Sequence, residues 1–202
     1  MNPILSTPRM LTVLTVCLLA IGLWQLGEGS WIYAKARLAQ HLLQRAWTRT
    51  LAGEKQAQPW PWADTWPVAR LTVPTLGIDM IVLNGAYGRT LAFGPGYAES
   101  SAQPGTPGTT ILTGHRDTHF SFLKDLQPGD RLTLQSADGG HRSYRVRNRR
   151  IAHVTRDGIP LRHGGHHLAL VTCYPFDSLI PGTPWRYVVI AEDEGNQEEQ
   201  DG

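Results

Sequence analysis

The sequence predicts a mainly all-β domain behind a single N-terminal apolar helix, and three observations carry that expectation. Seven short runs rich in β-branched or alternating residues follow one another beyond Val68, separated by clusters of glycine and proline. Twenty-one glycines and fourteen prolines among 202 residues leave little room for long helices there. Residues 10–26, by contrast, are almost wholly apolar. The formal charge of +2 is too small to argue for a nucleic-acid partner.

The apolar stretch is broken only by Thr12, Thr15, Gly22 and Gln25, and Arg9 stands directly before it. Seventeen residues reach the short end of a membrane span, and Gly27-Glu28-Gly29-Ser30 offers no Ala-x-Ala cleavage pattern. An uncleaved anchor is therefore expected, with Arg9 on the cytoplasmic side and the bulk of the chain outside. Next, Ile32, Leu38, Leu42, Leu43, Ala46 and Leu51 recur at helical spacing among Lys35, Arg37, Arg45, Arg49 and Lys55. They read as a basic amphipathic helix leaving the membrane, or as a stalk helix packed on the domain. Pro59-Trp60-Pro61-Trp62 and Trp66-Pro67 then stop any helix and read as an extended collar. The chain divides into a cytoplasmic tip and anchor (1–30), a helix and Pro/Trp-rich linker (31–67), a β domain (68–192) and an acidic, disordered tail (193–202).

Within the β domain, strands are expected at 70–73, 80–83, 109–113, 131–135, 142–154, 167–172 and 186–191, which make an antiparallel barrel or sandwich. One short helix is expected at 120–126, capped by Thr118 and ended by Pro128-Gly129. In the long strand, Arg145, Arg147 and Arg149 fall on one face at period two with Val146 on the other, the pattern of a solvated outer face.

The stretch that organises the domain is Leu168-Ala169-Leu170-Val171-Thr172-Cys173-Tyr174-Pro175-Phe176. It reads as a buried strand that stops just past the cysteine, because Pro175 cannot donate to a ladder. Cys173 then sits at a rim, where a side chain is both held and reachable. Cys17 lies in the apolar stretch, so an intrachain disulfide is geometrically implausible, and a lone thiol outside the membrane invites a functional explanation. Packing as a small buried hydrophobe is the alternative.

An isolated thiol is only about 3% thiolate at neutral pH, so a nucleophile needs a cation or a base beside it. Two other stretches offer one. Thr109-Thr110-Ile111-Leu112-Thr113-Gly114-His115 reads as a strand ending at a glycine that frees the backbone to turn, leaving His115 at a rim. Trp185-Arg186-Tyr187-Val188-Val189-Ile190 begins an antiparallel neighbour of the cysteine strand, and the Arg186 fork suits an oxyanion or a substrate carbonyl.

A strand ending Thr-Gly-His, a strand ending Thr-Cys and an Arg-x-Val-Val strand, in that order, resemble the sortases, membrane-anchored cysteine transpeptidases. The likeness extends to residues 70–79 and 122–130 and covers about 68–192. Gly-His-Arg-Asp-Thr-His-Phe with Leu-Val-Thr-Cys-Tyr-Pro-Phe is most similar to the class found in Gram-negative bacteria, with class D as near neighbour. The resemblance implies an eight-stranded β-barrel on the periplasmic side of the inner membrane, with Cys173 as nucleophile, His115 as acid or base and Arg186 as orienting or oxyanion residue. Thr113, Thr172 and Tyr174 are expected to contact substrate. The implied partners are an exported protein with a C-terminal sorting signal, commonly of Leu-Pro-x-Thr-Gly type, and an amine acceptor. No cofactor is implied, and no acidic cluster matches the calcium site of some class A enzymes.

Two other readings stand beside this one. His115 and His119, four apart, suit zinc on a helix, with His163, His166 or His167 as third ligand, although no glutamate lies in the motif to activate water. A non-catalytic, membrane-tethered β module is the other, with Cys173 serving only to pack.

Overall fold

The computed structural model describes residues 7–178 and 182–197. Its first element is one continuous helix, α1 (Thr7–Leu51), where the sequence suggested an anchor followed by a separate helix. Two compact units share the chain, one ending at His41 and the other starting at Leu42. In the first, the large apolar side chains from Met10 to Leu26 are all exposed. This helix is long and apolar enough to cross a membrane, a property that N-terminal signal sequences share.

The second unit begins with the last turns of α1. Leu43 and Trp47, at helical spacing, bury themselves against Ile81, Leu83 and Phe93. For this segment the packed stalk is the arrangement found. The collar is only partly packed: Trp60 meets Phe93 edge-on at 4.8 Å, whereas Trp62 is 82% exposed.

Eight strands close a barrel. They are β1 (Pro67–Val73), β2 (Ile78–Asn84), β3 (Gly96–Tyr97), β4 (Gly108–Thr113), β5 (Arg131–Ser136), β6 (His141–His153), β7 (His166–Cys173) and β8 (Trp185–Asp193). A single helical turn, α2 (Gly88–Leu91), precedes β3. Around the barrel the order is β1-β2-β3-β4-β7-β8-β6-β5. The expected all-antiparallel pairing is corrected at two places, because β2 with β3 and β4 with β7 run parallel. The second exception follows from the excursion through β5 and β6, which returns the chain beside β4 in the same direction.

Alternation fills the interior. Along β1 buried and half-buried residues alternate, and Leu71, Leu112, Leu134, Leu168, Leu170 and Val189 meet inside with Phe120 and Tyr144. The expected helix at 120–126 is shorter, a 3-10 turn over Ser121–Lys124 with no side-chain cap, which nevertheless presents Phe122 and Leu123 to the core.

The arginine face does not survive as expected. A bulge between Val146 and Asn148 inserts one residue and flips the alternation of β6, so Arg149 turns away from Arg145 and donates to the Leu126 carbonyl. Arg142, Arg145 and Arg147 instead pair with Asp193, Glu194 and Glu192. Those pairs hold the start of the acidic end, which continues β8 to Asp193 and then forms a 3-10 turn over Glu194–Gln197. Residues 198–202 of the expected tail lie outside the described residues.

Candidate active site

Strand direction decides what meets at the rim. In the parallel pair β4 and β7, Thr113 stands opposite Val171, and the Gly114 amide donates to the Val171 carbonyl at 3.2 Å. His115 and Cys173, each two residues further on, therefore leave the sheet at the same end. An antiparallel pairing would have sent them to opposite ends. Strand β8 runs antiparallel to β7 and starts at this end, with Arg186 as the direct partner of Cys173.

Period two then puts Cys173 and Arg186 on one face. Ile111, Ala169, Val171 and Val188 share the outer face of the sheet and, with Ala152, form a small apolar cluster outside the barrel. Cys173 continues that face along β7 and Arg186 along β8, and His115 follows two residues past the end of β4. His115 is exposed, and Cys173 and Arg186 are half-buried. A groove of about 340 Å³ is floored by the cluster, walled by Ile159 and Leu161 of the segment after β6, and bordered by Arg186. Sequence reasoning missed this floor, whose only trace was the apolar outward residue at every second position of β7.

Arg186 is itself held. Its Nη1 donates to the carbonyls of Thr183 at 2.6 Å and Trp185 at 2.9 Å, and the remaining guanidinium nitrogens make no hydrogen bond among the described residues. One nitrogen of the fork anchors the side chain, and among the described residues the others are left to donate elsewhere.

The three residues expected at the substrate have different surroundings. Thr172 is 2% exposed, faces the interior, and donates its hydroxyl to the Gly114 carbonyl at 2.7 Å, which ties the ends of the two strands together. Tyr174 is half-buried and stacks on Tyr187 with ring centroids 6.2 Å apart. Thr113 lies on the outer face, its hydroxyl 3.5 Å from the Gly96 carbonyl, at the limit of a hydrogen bond.

Gly114 has a reason other than the expected freedom to turn. Its backbone lies outside the left-handed region, but a Cβ there would come within 2.7 Å of the Phe120 ring. The glycine lets the last residue before His115 lie directly against the core.

His119 is half-buried and bonds to the Ala92 backbone; burial chiefly lowers its pKa from the ordinary histidine value, and the charge of nearby His115 acts in the same direction. His166 and His167 contact the carbonyls of Thr106 and Gly164. Among the described residues, no three His, Cys, Asp or Glu side chains gather as a metal site, so the zinc arrangement suggested by the spacing of His115 and His119 lacks its third ligand.

A closed eight-stranded barrel with thiol, imidazole and guanidinium at one rim defines a candidate cysteine-based acyl-transfer site. Residues 71–194, more than half of the chain, match the family model described as Sortase domain, and the chain belongs to the sortase family. It is 31% identical over 119 residues to Sortase D of Bacillus subtilis (strain 168), covering 59% of this chain and 60% of that relative. The chain thus spans less than two thirds of the curated relative it matches. Among solved structures it is similar to sortase C-1 from Actinomyces oris, with a TM-score of 0.56, 27% identity and coverage of 63% of this chain and 73% of that one. Sortase A from Corynebacterium diphtheriae shares the fold with a TM-score of 0.58 at 23% identity, over 65% of this chain and 62% of that one. A Clostridium perfringens Sortase D5 transpeptidase does so with a TM-score of 0.56 at 20% identity, over 74% of this chain and 88% of that one.

Proposed function

We propose that this chain is a membrane-anchored cysteine transpeptidase that cuts a Leu-Pro-x-Thr-Gly-like sorting signal near the C-terminus of an exported protein and passes the acyl group to an amine. One observation carries the reading: Cys173 and Arg186 are direct partners across β7 and β8, at the rim to which the parallel β4 brings His115. Membership of the sortase family supports it.

The thiolate of Cys173 attacks the scissile carbonyl carbon, and the free edge of Arg186 donates to the oxygen as negative charge collects there. The C–N bond then breaks, and His115, as imidazolium, gives its proton to the departing amine. A thioester remains. An incoming amine attacks the thioester carbonyl, His115 takes up the proton that the amine loses, and the C–S bond breaks to release the Cys173 thiolate. The outer-face groove suits an extended, tethered peptide, since it is open, apolar along its floor and ends at the reactive rim. Thr113, on the outer face, and Thr172 and Tyr174, on either side of Cys173, are its candidate substrate contacts.

The apolar length of α1 supports an anchor in the inner membrane with the barrel on the periplasmic side. The test is cleavage of a quenched fluorescent Leu-Pro-x-Thr-Gly peptide by the detergent-solubilised full chain, with an added amine. Cleavage and an acyl-amine product are expected, both lost in Cys173→Ala and after thiol alkylation. Cleavage that resists alkylation but is abolished by a chelator would instead support the zinc reading, and the absence of cleavage and of any adduct the binding module.

A further inference from the structure

The His115–Cys173 pair is bracketed by two hydrogen-bonded ties that join the same two chain segments. On the inner side, one residue before each of the pair, the Thr172 hydroxyl donates to the Gly114 carbonyl. On the outer side the tie is Arg116. This residue directly follows His115, yet its guanidinium reaches across to the segment after Cys173, where Nη1 donates to the Pro175 carbonyl at 2.5 Å and Nη2 to that of Ser178.

Arg116 is only 8% exposed, and its ion-pair partner among the described residues, Asp117 at 3.0 Å, is itself 69% exposed. Burying a guanidinium costs free energy that one exposed carboxylate does not return, so the two carbonyl bonds of its fork are needed to offset the rest. The segment it holds has a second attachment at the site. The Tyr174 carbonyl accepts from the Thr183 hydroxyl at 2.5 Å, and the Thr183 carbonyl accepts from Arg186. Arg116 is thus linked through the backbone to the strand end of Cys173 and to the anchor of Arg186.

We propose that Arg116 is a positioning residue for the acyl-transfer site: by clamping the Pro175 and Ser178 carbonyls to the turn after His115, it sets the separation of imidazole and thiol and the placement of Arg186. The inference deepens the transpeptidase reading and rests on it for its kinetic test. Nη1 and Nη2 each serve one carbonyl, so lysine keeps the charge but loses the fork that holds both.

The test uses the full chain in detergent with Cys17→Ser, which leaves Cys173 as the sole thiol. Arg116→Lys is expected to lower kcat on the fluorescent peptide by about 10²-fold, the scale of a ~1 Å misplacement. KM should stay within about threefold, because the groove floor is untouched. A second measurement needs no substrate: the pH dependence of Cys173 alkylation by iodoacetamide should move in Arg116→Lys toward that of His115→Asn. If lysine does not fold, Thr172→Val tests the inner tie, with a smaller loss of kcat that Thr172→Ser restores. Wild-type kcat and an unmoved alkylation profile in folded Arg116→Lys would overturn the proposal, as would a loss confined to KM. If the unmodified chain cleaves no peptide while the alkylation profile still shifts, the substrate reading fails and the clamp stands.

Discussion

Replacing Gly114 by alanine tests the packing beneath His115. The new Cβ would stand 2.7 Å from one Phe120 ring carbon and 3.0 Å from two others. Reaching ordinary van der Waals contact requires an opening of roughly 0.7 Å. Phe120 is fully buried and meets Phe122 edge-on at 5.8 Å, so its ring has no exit to solvent. Either the core absorbs the strain or the end of β4 lifts. Overpacking of this kind costs about 1–3 kcal/mol, or a fall in Tm of roughly 2–12 °C for a unit of this size. Lifting the strand end also moves His115, and a ~1 Å displacement is worth about 10²-fold in rate. Thermal unfolding and Cys173 alkylation kinetics read the two effects separately. Pairing Gly114→Ala with Phe120→Leu should recover part of both losses, since the shorter side chain makes room. Wild-type Tm and thiol kinetics in Gly114→Ala, or strict additivity in the pair, would refute the argument.

Arg186→Lys should fold normally and lose about 10²-fold or more in kcat/KM, because lysine cannot anchor by one edge and donate with the other; unchanged kinetics would remove Arg186 from the mechanism. Asp193→Ala deprives Arg142 of a 2.5 Å partner at a carboxylate that is 7% exposed, and is expected to destabilise by about 1–3 kcal/mol in a denaturant titration. His119, with its folded pKa below the unfolded value near 6.5, contributes fully above that value and loses its contribution as the pH falls from there toward the folded pKa. The Tm of the wild type should therefore fall faster between about pH 7 and 5 than that of His119→Asn. His166, also lowered chiefly by burial, acts in the same direction in both proteins and cancels in the comparison.

The strand ends that carry chemistry were legible because local signals mark them. Pro175 stops β7 two residues after Cys173, and an apolar run precedes the thiol. The parallel pairing of β4 and β7 was not, since strand direction is settled by contacts between residues 58 apart in sequence, such as Gly108 with His166. Two-residue β3 is too short to leave a period. The facing of Arg149 depends on a bulge that no residue type announces, and the ordered start of the acidic end depends on arginines some fifty residues earlier. At the site, the residue types of Cys173, His115 and Arg186 were readable, whereas the neighbours of Thr172 and Gly114, the Gly114 carbonyl and the Phe120 ring, were not. Arg116 sat in plain sight beside His115, but the tie it makes to the cysteine segment runs to backbone carbonyls, which a sequence does not display.

The central claim is that Cys173 carries the acyl group. Acid quenching of the full chain milliseconds to seconds after mixing with a sorting-signal peptide, followed by intact-mass and peptide-mapping spectrometry, tests it directly. A thioester adduct on Cys173 that disappears when an amine is added is the predicted result. An adduct on any other residue, or peptide cleavage at the wild-type rate by Cys173→Ala, would contradict it.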